Sequence, residues 1–168
     1  DPNFIKSEKI NIKYDHISHL SNYEMAHKYY SKNKEFKVSE NFPDLVKNLK
    51  YDNEAHFAVS NSYKMLVVRN FQKNTSKEAK DTKKPYQTVA IEKIKTIKSV
   101  LIKDFLLANL AYGIRSGNPL AEELYNTIMA ISTDAKLKER ITKQFENTKK
   151  LAKGKVSPTF VNYENYAG

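Results

Sequence analysis

The chain has 168 residues, of which 40% are hydrophobic, and it contains only 4 glycines. This length is typical of one domain, and the composition favours a compact helical body over a turn-rich β protein. Because the chain has no cysteine, it can form no disulfide, offer no thiolate nucleophile and hold no thiolate-bound metal. No run of sequence approaches the roughly 20 apolar residues of a membrane span.

The net charge of +10 comes from 29 Lys+Arg against 19 Asp+Glu, and this excess raises the question of nucleic acid. Only Arg69, Arg115 and Arg140 are arginines. Direct recognition of bases and bidentate clamping of phosphates favour the planar fork of arginine. The charge therefore argues against nucleic acid as a partner, and a lysine excess is typical of a solvated surface.

The first elements are predicted from short patterns. Ile10, Ile12 and Tyr14 alternate with polar residues, which predicts a short extended N-terminal segment. Residues 21–30 have the propensity for a first helix. Pro43 suits a first helical position and is followed by a short apolar stripe, which predicts a second helix over 43–50.

Residues 53–74 carry apolar side chains at helical spacing, which predicts a helix with one buried face. The polar segment that follows, residues 73–86, is predicted to be a surface loop. It contains the densest group of basic residues, a possible basic surface formed by Lys73, Lys77, Lys80, Lys83 and Lys84. Such charge beside Tyr86 allows a single-stranded nucleic-acid site, but a mobile, soluble loop is the favoured interpretation.

The clearest helix is predicted between Ile91 and Tyr112, where apolar residues recur every three or four positions. Gly117 suits a left-handed cap, Asn118 an N-cap and Pro119 a first helical turn. Two more helices are predicted after this turn, and the second one ends at Gly154. The predicted fold is all-α, an irregular bundle of five or six helices with a short extended N-terminal segment and a C-terminal strand-like tail.

The candidate site residues are few. His16 and His19 lie near Asp15 and His27, and imidazoles with a carboxylate suit zinc, but ordinary surface histidines are favoured. The frequent tyrosines could line a peptide or partner groove, but boundary residues with buried rings and solvated hydroxyls are the favoured interpretation. The tyrosines concerned are Tyr23, Tyr29, Tyr30, Tyr51 and Tyr63. No nucleophile elbow, phosphate loop or H-E-x-x-H motif occurs, so we predict no catalytic, metal or cofactor-binding residue and no cofactor.

The last fifteen residues change character. Pro158 favours an extended Ser157, and the aromatic and β-branched residues that follow favour a strand. A strand needs a partner for its backbone groups, and no strand-rich segment follows. We therefore expect a sheet that is completed by polypeptide outside this chain.

The segment "LAKGKVSPTFVNYENYAG" resembles the junction between an N-terminal accessory domain and the redox domain in thioredoxin-like thiol–disulfide oxidoreductases of the TlpA and AhpC/TSA type. The junction pattern of glycine, proline, aromatic residue and closing glycine falls on Gly154, Pro158, Phe160 and Gly168. Ser157 stands where the family more often has alanine. The preceding residues 121–154 also resemble the helical lead-in of envelope members.

The resemblance implies that residues 1–153 are a helical accessory domain, and that 154–168 are a linker and the start of the first strand of a thioredoxin-like domain. The family's C-x-x-C would lie downstream, so no catalytic residue is carried over to this chain. The implied function is positioning, dimerisation or substrate selection within an envelope or periplasmic thiol–disulfide interchange protein, whose precursor could carry a lipid anchor. The expected partners are its own downstream domain, a protein substrate or a second copy. The alternative is a lysine-rich helical binding module for a protein partner or an anionic surface.

Overall fold

A computed structural model describes residues 1–150, and the predicted all-α class is confirmed for them. Two compact units divide the chain, residues 1–106 and residues 107–168. The strand-like tail and its junction residues, Gly154, Pro158, Phe160 and Gly168, lie outside the described residues. The described part contains seven α-helices and one 3-10 helix: α1 (Pro2–Tyr30), α2 (Glu54–Val59), α3 (Asn61–Thr82), α4 (Tyr86–Thr96), α5 (Val100–Leu110), the 3-10 helix (Ala111–Gly113), α6 (Ala121–Ile131) and α7 (Ala135–Lys150).

The predicted extended N-terminal segment is wrong, because residues 2–30 form the single helix α1. Asp1 caps this helix by accepting a hydrogen bond from the Asn3 backbone N–H at 2.8 Å. Tyr14 and Ile17 are buried on one face, whereas Ile12 is exposed. The alternation of apolar residues therefore came from two different faces of a helix. The helix predicted over 21–30 is confirmed as the last part of α1.

The helix predicted over 43–50 is also wrong, because these residues form turns. Side chains bond to the backbone there in place of a helical ladder. Asp44 accepts from the Lys47 N–H at 3.2 Å, and the Tyr51 hydroxyl donates to the Val46 carbonyl at 3.2 Å. Aspartate competes with helices through such local bonds.

Ser60 divides the helix that was predicted over 53–74. Its backbone is extended, with φ −120° and ψ 115°, so α2 ends there and α3 begins. Its hydroxyl accepts from the Tyr63 N–H at 3.2 Å, which caps α3 in a fully buried position. The helical period survives this break because α2 and α3 both bury an apolar face.

The predicted loop over 73–86 is wrong for most of its length, because α3 continues to Thr82. Lysine, glutamate and alanine are good helix formers, and this propensity outweighs the polar composition. The chain leaves the helix only at Lys83, which adopts the left-handed conformation with φ 56°.

The long helix predicted from Ile91 to Tyr112 is two helices, α4 and α5. Ile97 is extended, with ψ 127°, and the Ser99 hydroxyl accepts from the Ile102 N–H at 3.2 Å to start the second helix. The core of residues 1–106 collects buried apolar side chains from all five helices, including Tyr14, Ile17, Phe57, Tyr63, Leu66, Val67, Val89, Ile91, Ile94, Ile102 and Leu106.

The described residues of the second unit form a small helical core. Gly117 has the predicted positive φ, +82°. Asn118 is not the N-cap of α6, because that helix begins at Ala121. Its side chain instead closes the preceding turn, donating to the Gly113 carbonyl at 2.6 Å and accepting from the Leu120 N–H at 3.0 Å.

The apolar faces predicted for the last two helices are confirmed, with Leu124, Ile128, Leu137, Ile141 and Phe145 buried. Asp134 caps α7 by accepting from the Lys136 and Leu137 N–H groups at 2.9 and 3.1 Å. Gln144 donates to the carbonyls of Ala111 and Ile114 at 3.0 and 2.9 Å, so α7 satisfies the backbone of the 3-10 helix region.

Thr75 is fully buried in α3, and its hydroxyl has no hydrogen-bond partner among residues 1–150. An unpaired buried hydroxyl costs about 1–3 kcal/mol. We therefore expect Thr75→Val, which keeps the branched shape, to raise the free energy of unfolding by about 1 kcal/mol in urea titrations. The control is Thr96→Val at an exposed site, which we expect to change stability by less than about 0.5 kcal/mol. A loss of stability in Thr75→Val would show that the hydroxyl is satisfied in solution.

Candidate binding groove

A groove of about 440 Å³ in the first unit is bounded by α3, α4 and the start of α5. Its floor is apolar and consists of Val67, Phe71, Ile97, Ile102 and Leu106. Phe71 and Ile97 are partly exposed in this floor, whereas Val67, Ile102 and Leu106 are buried. A concave apolar floor with a few polar groups is the usual form of a ligand site.

Two asparagines of α3 lie on the rim, one turn apart. The Asn74 Nδ2 donates to Asn70 Oδ1 at 3.2 Å. Each side-chain amide has more hydrogen-bonding groups than this one bond uses, because an amide carries two N–H donors and an acceptor oxygen. The pair therefore presents both a donor and an acceptor to anything that enters the groove.

The charged rim residues are Lys93, Lys98 and Asp52. Lys93 is held by Glu78 at 2.6 Å, whereas no carboxylate of the described residues lies within ion-pair distance of Lys98. Tyr51 also lines the groove, and burial, followed by the charge of Asp44, raises the pKa of its phenol above the ordinary value. The phenol therefore stays protonated at neutral pH and donates to Val46.

A second polar cluster lies where α1 meets α2 and α3. The Tyr14 hydroxyl and His56 Nδ1 are 2.7 Å apart, and the rings of Tyr14 and Tyr63 have centroids 4.5 Å apart. The Tyr63 hydroxyl donates to the Lys50 carbonyl at 2.7 Å and accepts from the Asn53 N–H at 3.1 Å. These bonds hold the backbone at Lys50 and Asn53 against the helices, so the role of the cluster is structural.

Burial raises the pKa of Tyr14 and of Tyr63 above the ordinary value of 10.0. A group whose folded-state pKa is raised contributes stability that is fully present below the unfolded-state pKa. That stability is lost as the pH rises through the folded-state pKa. We therefore expect the free energy of unfolding to fall above about pH 10, and Tyr63→Phe to fall less steeply. Urea midpoints measured from neutral to alkaline pH test this, and identical slopes for both proteins would contradict it.

The structure separates the tyrosines that were considered for a partner groove. Tyr51 lines the groove, whereas Tyr63 is fully buried. Tyr23 stacks on Phe42 with centroids 5.4 Å apart, and Tyr29 and Tyr30 are exposed on α1. The favoured interpretation, a boundary position with a buried ring and a solvated hydroxyl, is wrong for Tyr63, because its hydroxyl is buried and bonds to Lys50 and Asn53.

The histidines considered for zinc do not converge. His19 bonds to the Asp15 carbonyl at 2.9 Å and approaches its carboxylate at 3.4 Å, while His16 is exposed. Within residues 1–150, no group of three histidine or acidic side chains could hold a metal ion.

The possible basic surface is helical over most of its length. Lys73, Lys77 and Lys80 are exposed on α3, and their spacing of three and four residues places them on one face. Lys84 is paired with Glu92 at 3.0 Å. Tyr86 begins α4, and burial raises its pKa, so its ring is not a free stacking platform.

An exposed apolar line runs along α1. Ile5, Ile12, Tyr23 and Tyr30 are 54%, 66%, 44% and 82% exposed. Seven residues make nearly two helical turns and eighteen make five, so the four side chains share one face. This face lies opposite Tyr14 and Ile17, which are buried. We call these four residues the α1 line.

Comparison of the chain with protein-family models, with curated proteins and with solved structures gives no match. Among residues 1–150, no helix has both the length and the apolar character needed to cross a membrane. The groove residues Asn70, Asn74 and Lys98 were not singled out in the sequence. Two asparagines one helical turn apart were the available signal.

Proposed function

We propose that this chain is the non-catalytic N-terminal helical domain of an envelope thiol–disulfide interchange protein with a thioredoxin-like redox domain. The observation that carries the proposal is the junction pattern of Gly154, Pro158, Phe160 and Gly168, which follows a helical body. Its partner in this proposal is its own downstream domain.

Two properties of the chain support the assignment of the redox chemistry to a downstream domain. Thiol–disulfide exchange requires attack by a thiolate, and the chain contains no cysteine. The reacting cysteines therefore belong to the downstream domain. The secondary structure of the described residues is helical, without strands, as an accessory domain with a fold of its own would be.

The experiment compares the parent protein with this chain in the reduction of insulin by dithiothreitol. The parent should accelerate the precipitation of reduced insulin, and a parent with both C-x-x-C cysteines replaced by serine should not. The present chain provides the cysteine-free blank. A parent that is no faster than this blank would contradict the proposal.

The domain could serve in positioning, dimerisation or substrate selection. The α1 line is a surface that supports dimerisation. Ile5 and Ile12 are exposed on this line, and covering them with a second copy would remove apolar surface from water. In α1, Glu8 lies on one side of the line and Lys13 on the other. If two copies pair in parallel about a two-fold axis along the helices, Glu8 faces Lys13 of the partner subunit. An antiparallel pair would instead bring sides of like charge together.

A further inference from the structure

We propose that the groove of the first unit binds an extended peptide segment that carries a bulky apolar side chain next to an acidic residue. This deepens the substrate-selection role, because it names the class of protein segment that the domain selects, and in that respect it rests on the proposed function. The binding itself requires only the groove.

The floor defines the apolar part of the ligand. Val67, Ile102 and Leu106 are buried and form a closed base, while Phe71 and Ile97 are partly exposed. The volume of about 440 Å³ is near the lower end of the range for ligand sites. It suits one or two bulky apolar side chains, and burying them would supply the main driving force.

The rim amides define the backbone part of the ligand. Asn70 Nδ2 and Asn74 Oδ1 have no hydrogen-bond partner among the described residues. A free donor and a free acceptor one helical turn apart match the C=O and N–H groups of an extended peptide. Leaving such groups unpaired when the apolar floor is covered would be costly, so they select a ligand that carries peptide groups.

The charges define the acidic part of the ligand. Lys98 lies at the break between α4 and α5 without an ion-pair partner in residues 1–150, and the positive charge of Lys93 is offset by Glu78. Asp52 is the single carboxylate among the lining residues. Because Glu78 pairs with Lys93, the lining lysine that stays free of a carboxylate among the described residues is Lys98. This charge and the +10 of the whole chain favour an acidic peptide over a basic one. Nucleic acid is a poorer fit, because the floor is aliphatic apart from Phe71 and offers no stacking platform of several rings.

The test is a titration of the isotope-labelled 168-residue chain, followed by NMR. The probe is an acetylated and amidated hexapeptide with a leucine–phenylalanine pair between two aspartates and terminal serines. We expect a Kd below about 500 µM, with shifts concentrated at groove residues. Replacing the aspartates of the probe with lysine, or its apolar pair with serine, should weaken binding by about tenfold or more.

Variants of the chain locate the site. We expect Lys98→Glu to weaken binding of the acidic probe by about tenfold, and Asn70→Ala with Asn74→Ala by about fivefold to tenfold. The matched control is Lys95→Glu, which makes the same charge change at an exposed position of α4 outside the groove lining. It should change the Kd less than about twofold.

Absence of saturable binding at millimolar probe would overturn the inference. Equal effects of Lys98→Glu and Lys95→Glu, or equal binding of the acidic and basic probes, would also overturn it, because binding would then be unspecific charge attraction. If the chain binds the peptide but its parent has no C-x-x-C, the peptide-binding proposal holds and the redox proposal is contradicted. If the parent is redox-active but the helical domain binds none of the probes, the peptide-binding proposal is contradicted and the redox proposal is not.

Discussion

Tyr63→Ala should destabilise the protein more than any substitution at an exposed tyrosine, by about 3–5 kcal/mol. Tyr63 is fully buried, so its removal leaves a cavity where its ring meets Tyr14 and Phe57. It also removes the hydroxyl that binds the Lys50 carbonyl and the Asn53 N–H. The free energy of unfolding from urea titrations followed by circular dichroism is the measurement.

Two further variants separate the contributions to this loss. Tyr63→Phe keeps the ring and removes only the hydroxyl, so we expect a loss of about 1–2 kcal/mol. Tyr29→Ala changes a side chain that is 77% exposed and should cost less than about 0.5 kcal/mol. If Tyr63→Ala lowered the free energy of unfolding no more than Tyr29→Ala does, this would contradict the burial of Tyr63.

The substitution Ile5→Glu together with Ile12→Glu should convert a dimer of this chain into a monomer. Both isoleucines lie on the α1 line and would be covered only in the pair. Placing two carboxylates in an apolar interface should weaken the dimer by at least about 100-fold. Sedimentation equilibrium measures the mass, and an unchanged helical signal in circular dichroism would show that α1 remains intact.

The parallel arrangement has its own control. Glu8→Lys alone should weaken the dimer, because it places two lysines opposite each other, and adding Lys13→Glu should restore it. A wild-type chain that stays monomeric at about 100 µM would contradict the dimerisation role. Failure of the charge swap to restore the dimer would contradict the parallel arrangement.

The fold class was predictable from the sequence because helical spacing recurs over most of the chain. The breaks were not, since they depend on single residues. Ser60 and Ile97 each separate two helices. Both helices of each pair bury an apolar face, so the helical spacing of apolar residues continues across the break. The N-terminal alternation misled for the opposite reason, because Ile12 and Tyr14 belong to different faces of α1.

The groove could be predicted only in part. Tyr51 was among the tyrosines considered for a partner groove, and it lines the concavity between α3 and α4. The asparagine pair and Lys98 come together with the apolar floor only through the packing of α3 against α4. No pattern of residue spacing in the sequence predicts that the break between α4 and α5 lies beside α3.

The most direct measurement of the redox assignment is the translated parent reading frame beyond Gly168. We expect a Trp-Cys-x-x-Cys-like stretch within about 40 residues, preceded by strand-favouring sequence. A stop codon directly after Gly168, or a longer frame without any C-x-x-C, would contradict it.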